Sequence, residues 1–331
     1  MNDSNSSIVF VACVAFRGSE DLLSPEGRKD IEDTCALALL LEEIFFWVSV
    51  VLGVPGNLVA AVTILSLKLT PATFYLVLLA FGDFISLVFT ILTKFFKDYS
   101  VITTEDVSHD WFYNLHHYAG TYANWTLVLI CLERLAIILD PFRKTVNLTL
   151  RHAYMTAAVL CVALTGAYVL VSEMESYGSK TWIIVYTTCY NFIPLPVVFI
   201  TSGVIAIELR RGLKRRGFMS EIQVRQIARQ DNAMTVIMLT ASFAFAVLTT
   251  PLCIVMLLFL IQSYTWLSPH HFPSADFFLA LRVSIGLSQL THGVNVYLYF
   301  VSVKRFREQF VYLFSCKTIL KPTSQVFSTQ T

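Results

Sequence analysis

The chain contains seven separate apolar stretches, each long enough to cross a lipid bilayer as a helix. An α-helix rises about 1.5 Å per residue, so roughly 20 apolar residues match the hydrocarbon thickness of a membrane. We place these spans at 44–67, 72–93, 111–138, 153–172, 181–207, 232–267 and 277–303. The sequence therefore predicts an all-α fold, a seven-transmembrane helix bundle.

The composition agrees with a membrane environment. Hydrophobic residues make up 56% of the 331 residues and charged residues 14%, whereas a soluble domain has about 45–50% and about 25%. The formal net charge is only +1, and the sequence has neither a basic-aromatic stripe nor a glycine-rich nucleotide loop. These observations favour the lipid bilayer as a partner and argue against nucleic acid.

The distribution of lysine and arginine predicts the orientation of the bundle. If the N-terminus is extracellular, the cytoplasmic segments carry most of the 24 lysines and arginines, including the cluster at 210–216. Basic residues accumulate on the cytoplasmic side of membrane proteins. We therefore expect a multi-pass plasma-membrane protein with an extracellular N-terminus and a cytoplasmic C-terminus.

This topology divides the chain into an extracellular tail, the helix bundle, a short helix and a cytoplasmic tail: 1–43, 44–303, 304–315 and 316–331. In the short helix, Phe306, Phe310 and Phe314 recur every four residues, with charged residues on the other faces. That spacing predicts an amphipathic eighth helix on the cytoplasmic membrane surface. Cys316 is a candidate for palmitoylation, with a free thiol as the alternative.

The extracellular tail carries two glycosylation sequons and two cysteines. Asn2 and Asn5 each begin an Asn-X-Ser sequence, which is a glycosylation acceptor in an extracellular segment. Cys13 and Cys35 lie on the same side of the membrane and are a candidate disulfide pair. The apolar run at 8–16 is either a short signal-peptide core or part of an uncleaved tail, and its lack of a basic leader favours the tail.

A carboxylate in the second span is the most unusual polar group within the membrane. A charge near the bilayer centre costs about 2.5–3.5 kcal/mol on insertion scales, so Asp83 needs a compensating partner. By residue counting, Asn57 of the first span and Asn295 of the seventh lie at a similar depth. Such a group binds a small cation or exchanges protons, or it is a hydrogen-bonded triad that joins helices. The sequence leaves both interpretations open.

An acid and a base lie together at the cytoplasmic end of the third span. Neighbouring residues on a helix do not face each other, so we expect Arg134 to be free of Glu133 and to reach another partner. Asp231, at the start of the sixth span, is a candidate, and outward movement of that helix would break the pair. The alternative is an arginine that snorkels to the interface. Pro251 bends the sixth helix, which suits a hinge but also occurs in static bundles.

Several short motifs follow one another at matching depths. They are Gly56 and Asn57; Leu79, Ala80 and Asp83; Glu133, Arg134 and Leu135; Phe245 and Pro251; Asn295, Val296 and Tyr299; and Phe306. Each motif alone is weak. Together, over residues 44–314, they resemble the rhodopsin-like (class A) family of G-protein-coupled receptors.

The resemblance implies a function for several of these residues. It implies that Arg134 contacts a heterotrimeric G protein when the sixth helix swings outward, and that Tyr299 rearranges during activation. Asp83 with Asn295 would form a polar core linked to an allosteric sodium ion. The implied partners are an extracellular peptide or small-molecule ligand, the G protein and arrestin, and no other cofactor is expected. The activation set is Glu133, Arg134, Asp231, Phe245, Pro251, Asn295 and Tyr299.

The chain departs from the family pattern at several positions. Thr249 replaces the tryptophan before the sixth-helix proline, and Val296 replaces a proline. His116 stands where amine receptors carry an aspartate, and Gln289 stands where opsins carry their retinal-binding lysine. These departures argue against an amine receptor and a photoreceptor, and they indicate similarity to invertebrate peptide or chemosensory receptors.

Basic residues are expected near the extracellular third of the bundle. Lys94, His116 and Arg282 reach this depth when residues are counted outward from Asp83, Arg134 and Asn295 at about 1.5 Å per residue. We hypothesise a basic-lined vestibule for an acidic ligand or a peptide. The alternative is that Lys94 and Arg282 snorkel to lipid headgroups. The candidate ligand-binding residues are Lys94, His116, His117, Arg282 and Gln289.

A multi-pass transporter is the principal alternative function, because transporters also carry polar residues and broken helices within the membrane. Transporters commonly contain internal repeats, and we find none in this sequence. A membrane enzyme is disfavoured, since the seven histidines show no metal-ligand spacing. We therefore expect no catalytic residues.

Overall fold

A computed structural model describes residues 25–67, 69–98, 107–139, 149–176, 185, 187–216, 222–264, 275–302 and 304–314. This part of the chain is helical apart from short connections. Five features of the sequence lie outside the described residues: Asn2, Asn5, Cys13, Cys316 and the side chain of Asp231. The helices are α1 (Pro25–Leu65), α2 (Pro71–Asp98), α3 (Val107–Leu139), α4 (Leu150–Ser176), α5 (Pro194–Arg216), α6 (Ile222–Tyr264), α7 (Ala275–Ser302) and α8 (Lys304–Phe314).

Six of the described helices are long and apolar enough to cross a membrane. They are α1 to α4, α6, and α5 together with the turn that precedes it. The seventh helix, α7, has 28 residues, but Gln289, His292 and Asn295 lower its mean hydropathy. Ser284, Ser288 and Thr291 of the same helix are buried, because α7 packs against α1, α2 and α6. A helix enclosed in this way needs less apolar surface than one that faces lipid.

The bundle has polar groups inside and apolar groups outside. Asn57, Asp83 and His292 are 1%, 1% and 2% exposed, whereas Val162 and Phe243 are 73% and 72% exposed. Water would strongly disfavour this arrangement, since large contiguous apolar surfaces are rare on soluble monomers. A hydrocarbon solvent favours it, because polar groups then turn towards one another. The described chain therefore has the architecture of a membrane protein.

Glycines allow α1 and α7 to pack closely. A Cβ atom added to Gly53 would lie 2.9 Å from the Cα atom of Gly293, and one added to Gly286 would lie 2.7 Å from Cβ of Phe45. Both distances are shorter than ordinary carbon contacts. Small residues permit such backbone approach between membrane helices, and this packing fixes the position of α7 in the core.

The first helix begins much earlier than the sequence predicts. Its expected start was residue 44, but α1 runs from Pro25, with proline at a position that favours helix initiation. Cys35 and Ala38 of the additional turns are buried against Phe278 of α7. Cys35 is also disulfide-bonded, and its partner lies outside the described residues. Packing against α7 therefore extends the helix into the segment that we expected to be a tail.

The short helix α8 is anchored to the bundle through one aromatic residue. Phe306 is buried, and its ring centroid lies 6.2 Å from that of Tyr299 in α7. Gln309 donates to Ser66 Oγ at 2.9 Å, which joins α8 to the end of α1. We call this the α8 end of the bundle. The opposite end holds Cys35 and Phe278.

Candidate functional site

A buried carboxylate and imidazole form the centre of the polar core. Oδ1 of Asp83 in α2 lies 2.6 Å from Nδ1 of His292 in α7. Nδ2 of Asn295 donates to Oδ2 of Asp83 at 2.8 Å. His292 and Asn295 are three residues apart on α7 and share a face. Each carboxylate oxygen therefore receives an N–H group, which is the compensation that a buried charge requires.

The structure brings together only part of the triad suggested by residue counting. Asp83 and Asn295 are in direct contact, but Nδ2 of Asn57 donates to the backbone carbonyl of His292 at 2.6 Å. Sequence reasoning did not select His292 as a site residue. The sequence did contain a signal for it. His292 lies three residues before Asn295, so the two side chains lie on the same face of α7.

A π-helical turn extends the polar core to α5. Thr188–Phe192 form this turn before Pro194, whose missing N–H prevents regular helix pairing. Trp125 Nε1 donates to the carbonyl of Cys189 at 2.9 Å, and Asn124 Nδ2 donates to that of Tyr190 at 3.3 Å. These two bonds from α3 hold the turn in place.

The turn directs Tyr190 towards the carboxylate and imidazole pair. Its hydroxyl oxygen lies 3.3 Å from Nε2 of His292. We assign the proton of a neutral imidazole to Nδ1, since this nitrogen faces the Asp83 carboxylate, so that Nε2 accepts from the tyrosine. A continuous hydrogen-bonded path thus joins Asn295, Asp83, His292 and Tyr190. We call these four residues the polar chain.

A second set of polar side chains, His116 with Ser86 and Thr90, lies beside the polar chain on the other side of Gly120. Nδ1 of His116 lies 2.7 Å from Oγ1 of Thr90 and 3.1 Å from Oγ of Ser86. A Cβ atom at Gly120 would lie 3.1 Å from the Tyr190 hydroxyl and 3.3 Å from both His292 Nε2 and Ser86 Oγ. The absence of a side chain at Gly120 therefore lets the two polar groups approach each other.

His116 and His117 contact each other, and His116 also contacts α2. Their ring centroids are 4.6 Å apart, and both side chains are partly buried. The hydroxyls of Ser86 and Thr90 hold His116. Gln289 is also partly buried, on α7. Three of the five residues expected to bind a ligand thus lie within the bundle.

The two bases expected in the vestibule are paired with acids of α1. Lys94 forms an ion pair with Glu43, and Arg282 Nη1 lies 2.9 Å from Oε1 of Glu42. We call these four residues the α1 clamp. Lys94 and Arg282 thus have acidic partners in α1, and their place in a ligand vestibule stays a prediction. The sequence interpretation placed Glu42 and Glu43 in a tail, so it missed these partners.

Aromatic rings support the α1 clamp. The Lys94 ammonium lies 4.8 Å from the centroid of Phe46, and the Arg282 guanidinium lies 4.9 Å from that of Phe278. Cations over aromatic faces gain about 0.5–1 kcal/mol at exposed sites. The clamp therefore fixes α1 against α2 and α7 at the end opposite α8.

At the α8 end, Arg134 is paired with its neighbour. Its Nε lies 3.7 Å from Oε2 of Glu133, and both residues are buried. This ion pair between neighbouring residues was not expected, and the prediction that Arg134 reaches a further partner stays untested. Burial is the physical reason, since an unpaired charge in a low-dielectric interior is more unfavourable than a pair with imperfect geometry. The side chain of Asp231, the expected partner, lies outside the described residues.

The remaining expected activation residues lie in α6 and α7. Phe245 and Tyr299 are buried, and Pro251 lies within α6 without ending it. The Tyr299 hydroxyl has no hydrogen-bond partner in the described part of the chain. A buried hydroxyl without a partner costs about 1–3 kcal/mol. The present position of Tyr299 is therefore suboptimal for its polar atom.

The space beside Asp83 is small, and both of its carboxylate oxygens accept hydrogen bonds. A cavity of about 10 Å³ adjoins the carboxylate, with Asn124, Phe245 and Thr291 in its lining, and it has the size of about one water molecule. Hard cations bind through oxygen lone pairs, and each carboxylate oxygen already uses one of its two lone pairs for an N–H group of His292 or Asn295. Asp83 and Asn295 therefore come together as a hydrogen-bonded pair rather than as two cation ligands.

The polar chain connects α2, α5 and α7, and α3 supports it through Asn124 and Trp125. A movement of any one of these helices must break or rearrange a buried hydrogen bond. The polar chain therefore ties the positions of these helices to one another. Comparison of the chain with models of known protein families and with curated proteins finds no match.

Proposed function

We propose that this protein is a rhodopsin-like G-protein-coupled receptor that converts binding of an extracellular ligand into activation of a heterotrimeric G protein. The observation that carries the proposal is the buried pair of Arg134 and Glu133. A guanidinium that is only 5% exposed is held at the α8 end by a 3.7 Å contact. This weak pairing leaves strong hydrogen-bonding capacity for a partner that reaches Arg134 when the bundle opens.

Conformational change is supported by the residues that surround this pair. Tyr299 is buried beneath α8 with its hydroxyl unsatisfied among the described residues, so a rearranged state that provides a partner would be favoured by hydrogen bonding. Pro251 weakens α6 at one point. In the proposed mechanism, α6 moves away from α3 and the Arg134 guanidinium becomes accessible to the G protein.

The ligand acts at the end opposite α8 in this proposal. There, the α1 clamp joins α1 to α2 and α7, and the polar chain begins about three helical turns deeper, at about 3.6 residues per turn. Because Glu42 and Glu43 already compensate Arg282 and Lys94, the site does not require an acidic ligand. A peptide or small molecule that shifts α2 or α7 would perturb Asp83 and His292 directly. The protein would lie in the plasma membrane with this end outside, and arrestin would bind the cytoplasmic side.

The deciding experiment measures guanine-nucleotide exchange in cells at matched surface expression. A library of peptides and small acids is applied to the wild type, to Arg134→Ala and to Arg211→Ala. Arg211 is the matched control, because it lies at the same end but is largely exposed and is paired with Glu208. We expect at least a roughly tenfold loss of exchange in Arg134→Ala, equivalent to about 1.4 kcal/mol, and little change in Arg211→Ala. Unchanged exchange in Arg134→Ala would contradict the proposal.

A transporter is the second candidate, and one observation favours it. Paired buried acids and histidines such as Asp83 and His292 form proton relays in transporters. Purified protein in proteoliposomes distinguishes the two functions. Solute uptake that depends on Asp83, without nucleotide exchange in cells, would support the transporter and overturn the receptor.

A further inference from the structure

We propose that the imidazole of His292 takes the place that a sodium ion would occupy beside Asp83, so that a side chain of the protein itself holds the polar core together. This inference rests on the proposed receptor function, because the polar core is the part of the bundle that would rearrange in signalling. Its test does not use signalling, so the two proposals can fail separately.

The geometry of the carboxylate is the first support. A cation beside Asp83 would bind a carboxylate oxygen, and Nδ1 of His292 already lies 2.6 Å from Oδ1. Nδ2 of Asn295 donates to the other carboxylate oxygen, Oδ2, at 2.8 Å. Both groups present hydrogen atoms, which carry positive partial charge. A sodium ion placed here would meet the positive ends of two N–H bonds.

The fixed position of the imidazole is the second support. The backbone carbonyl of His292 accepts from Asn57 at 2.6 Å, and Nε2 lies 3.3 Å from the Tyr190 hydroxyl. The first contact fixes the backbone of His292, and the second holds the ring at the nitrogen opposite its bond with Asp83. A tethered and oriented group loses little entropy when it pairs with the carboxylate, whereas a free ion must be captured from solution.

The surrounding space is the third support. The cavity beside Asp83 measures about 10 Å³, the size of one water molecule. On another side, Gly120 brings the helix backbone of α3 close to His292 Nε2, leaving no room for an additional side chain. Removal of the imidazole would therefore enlarge the cavity next to an uncompensated carboxylate, and a small cation would then have both room and charge complementarity.

The test is a comparison of thermal unfolding in two salts. Purified full-length protein is heated in about 0.15 M sodium chloride and in choline chloride of the same ionic strength, which equalises screening. For the wild type, we expect the same Tm in both salts. For His292→Ala and His292→Ser, we expect a Tm higher by about 3 °C or more in sodium chloride, because binding to the folded state stabilises it.

Two controls make the result specific to this site. His152→Ala removes an exposed histidine of α4 that contacts Thr149, and it should gain no sodium dependence. Adding Asp83→Asn to His292→Ser should abolish the sodium dependence of that variant. If the single variants unfold in choline chloride, the yield of folded protein in each salt replaces Tm, and a yield that is higher only in sodium chloride supports the proposal.

Two outcomes would overturn the inference. A wild-type Tm that rises with sodium chloride but not with choline chloride would show that the ion binds although His292 is present. A sodium response absent from the wild type and from both His292 variants would show that the imidazole does not replace an ion. Neither outcome bears on nucleotide exchange, so the proposed function would be tested independently by Arg134→Ala.

Discussion

Substitution of Gly120 by alanine tests how tightly the polar core is packed. The added methyl group would lie 3.1 Å from the Tyr190 hydroxyl and 3.3 Å from both His292 Nε2 and Ser86 Oγ. Carbon and oxygen atoms normally stay farther apart, so at least one neighbour must move by a few tenths of an ångström. His292 resists this movement because Asp83 holds its other ring nitrogen at 2.6 Å.

Two opposing free-energy terms decide the sign of the effect. Alanine stabilises a helix by about 1 kcal/mol relative to glycine, whereas overpacking a well-filled core destabilises by about 1–3 kcal/mol. We expect overpacking to dominate, with a net loss of about 1 kcal/mol and a decrease in Tm of about 2–4 °C. Gly166→Ala is the control, because nothing lies within 4 Å of its added Cβ, and it should not lower Tm.

A double-mutant cycle identifies the contact that is responsible. Tyr190→Phe removes the oxygen nearest to the new methyl group, so Gly120→Ala should cost less in that background than in the wild type. Thermal unfolding of the four purified proteins gives the coupling free energy. A Gly120→Ala protein as stable as Gly166→Ala, or a cycle without coupling, would refute the view that Tyr190 is held against the core.

Three further predictions concern other parts of the bundle. Glu42→Ala and Arg282→Ala should each lower the free energy of unfolding by about 1 kcal/mol, measured by thermal unfolding. The loss is small because both side chains are 33% exposed. The double variant should lose little more than either single variant. Cys35→Ser removes a disulfide and should lower the free energy of unfolding by about 2–5 kcal/mol. If Cys13 is the partner, Cys13→Ser should cause the same loss, and the double variant should lose no more. Both single variants should then show the same change in mobility on a non-reducing gel. Phe306→Ala should destabilise by about 3 kcal/mol, because Phe306 is buried against α7, whereas alanine at the exposed Phe314 should have little effect.

The sequence predicted the class of fold because apolar length is a local property. Each span could be recognised without knowledge of its neighbours, and six of the described helices are long and apolar enough to cross a membrane. The helix α7 was harder to recognise by hydropathy, since its interior position permits His292 and Asn295. The start of α1 was misplaced because the extra turns are stabilised by contact with Phe278 of α7, which no local pattern records.

The partners of the charged residues were decided by the tertiary structure. Residue counting gave the depth of Asp83 and Asn295, because a helix has a constant rise per residue. It could not give the rotation of α2 relative to α7, and that rotation brings His292 to Asp83 across 209 residues of sequence. The same reason explains the α1 clamp, in which Arg282 meets Glu42 across 240 residues. The sequence alone thus determined which helices form and how deep their polar groups lie, whereas helix packing decided which of these groups meet.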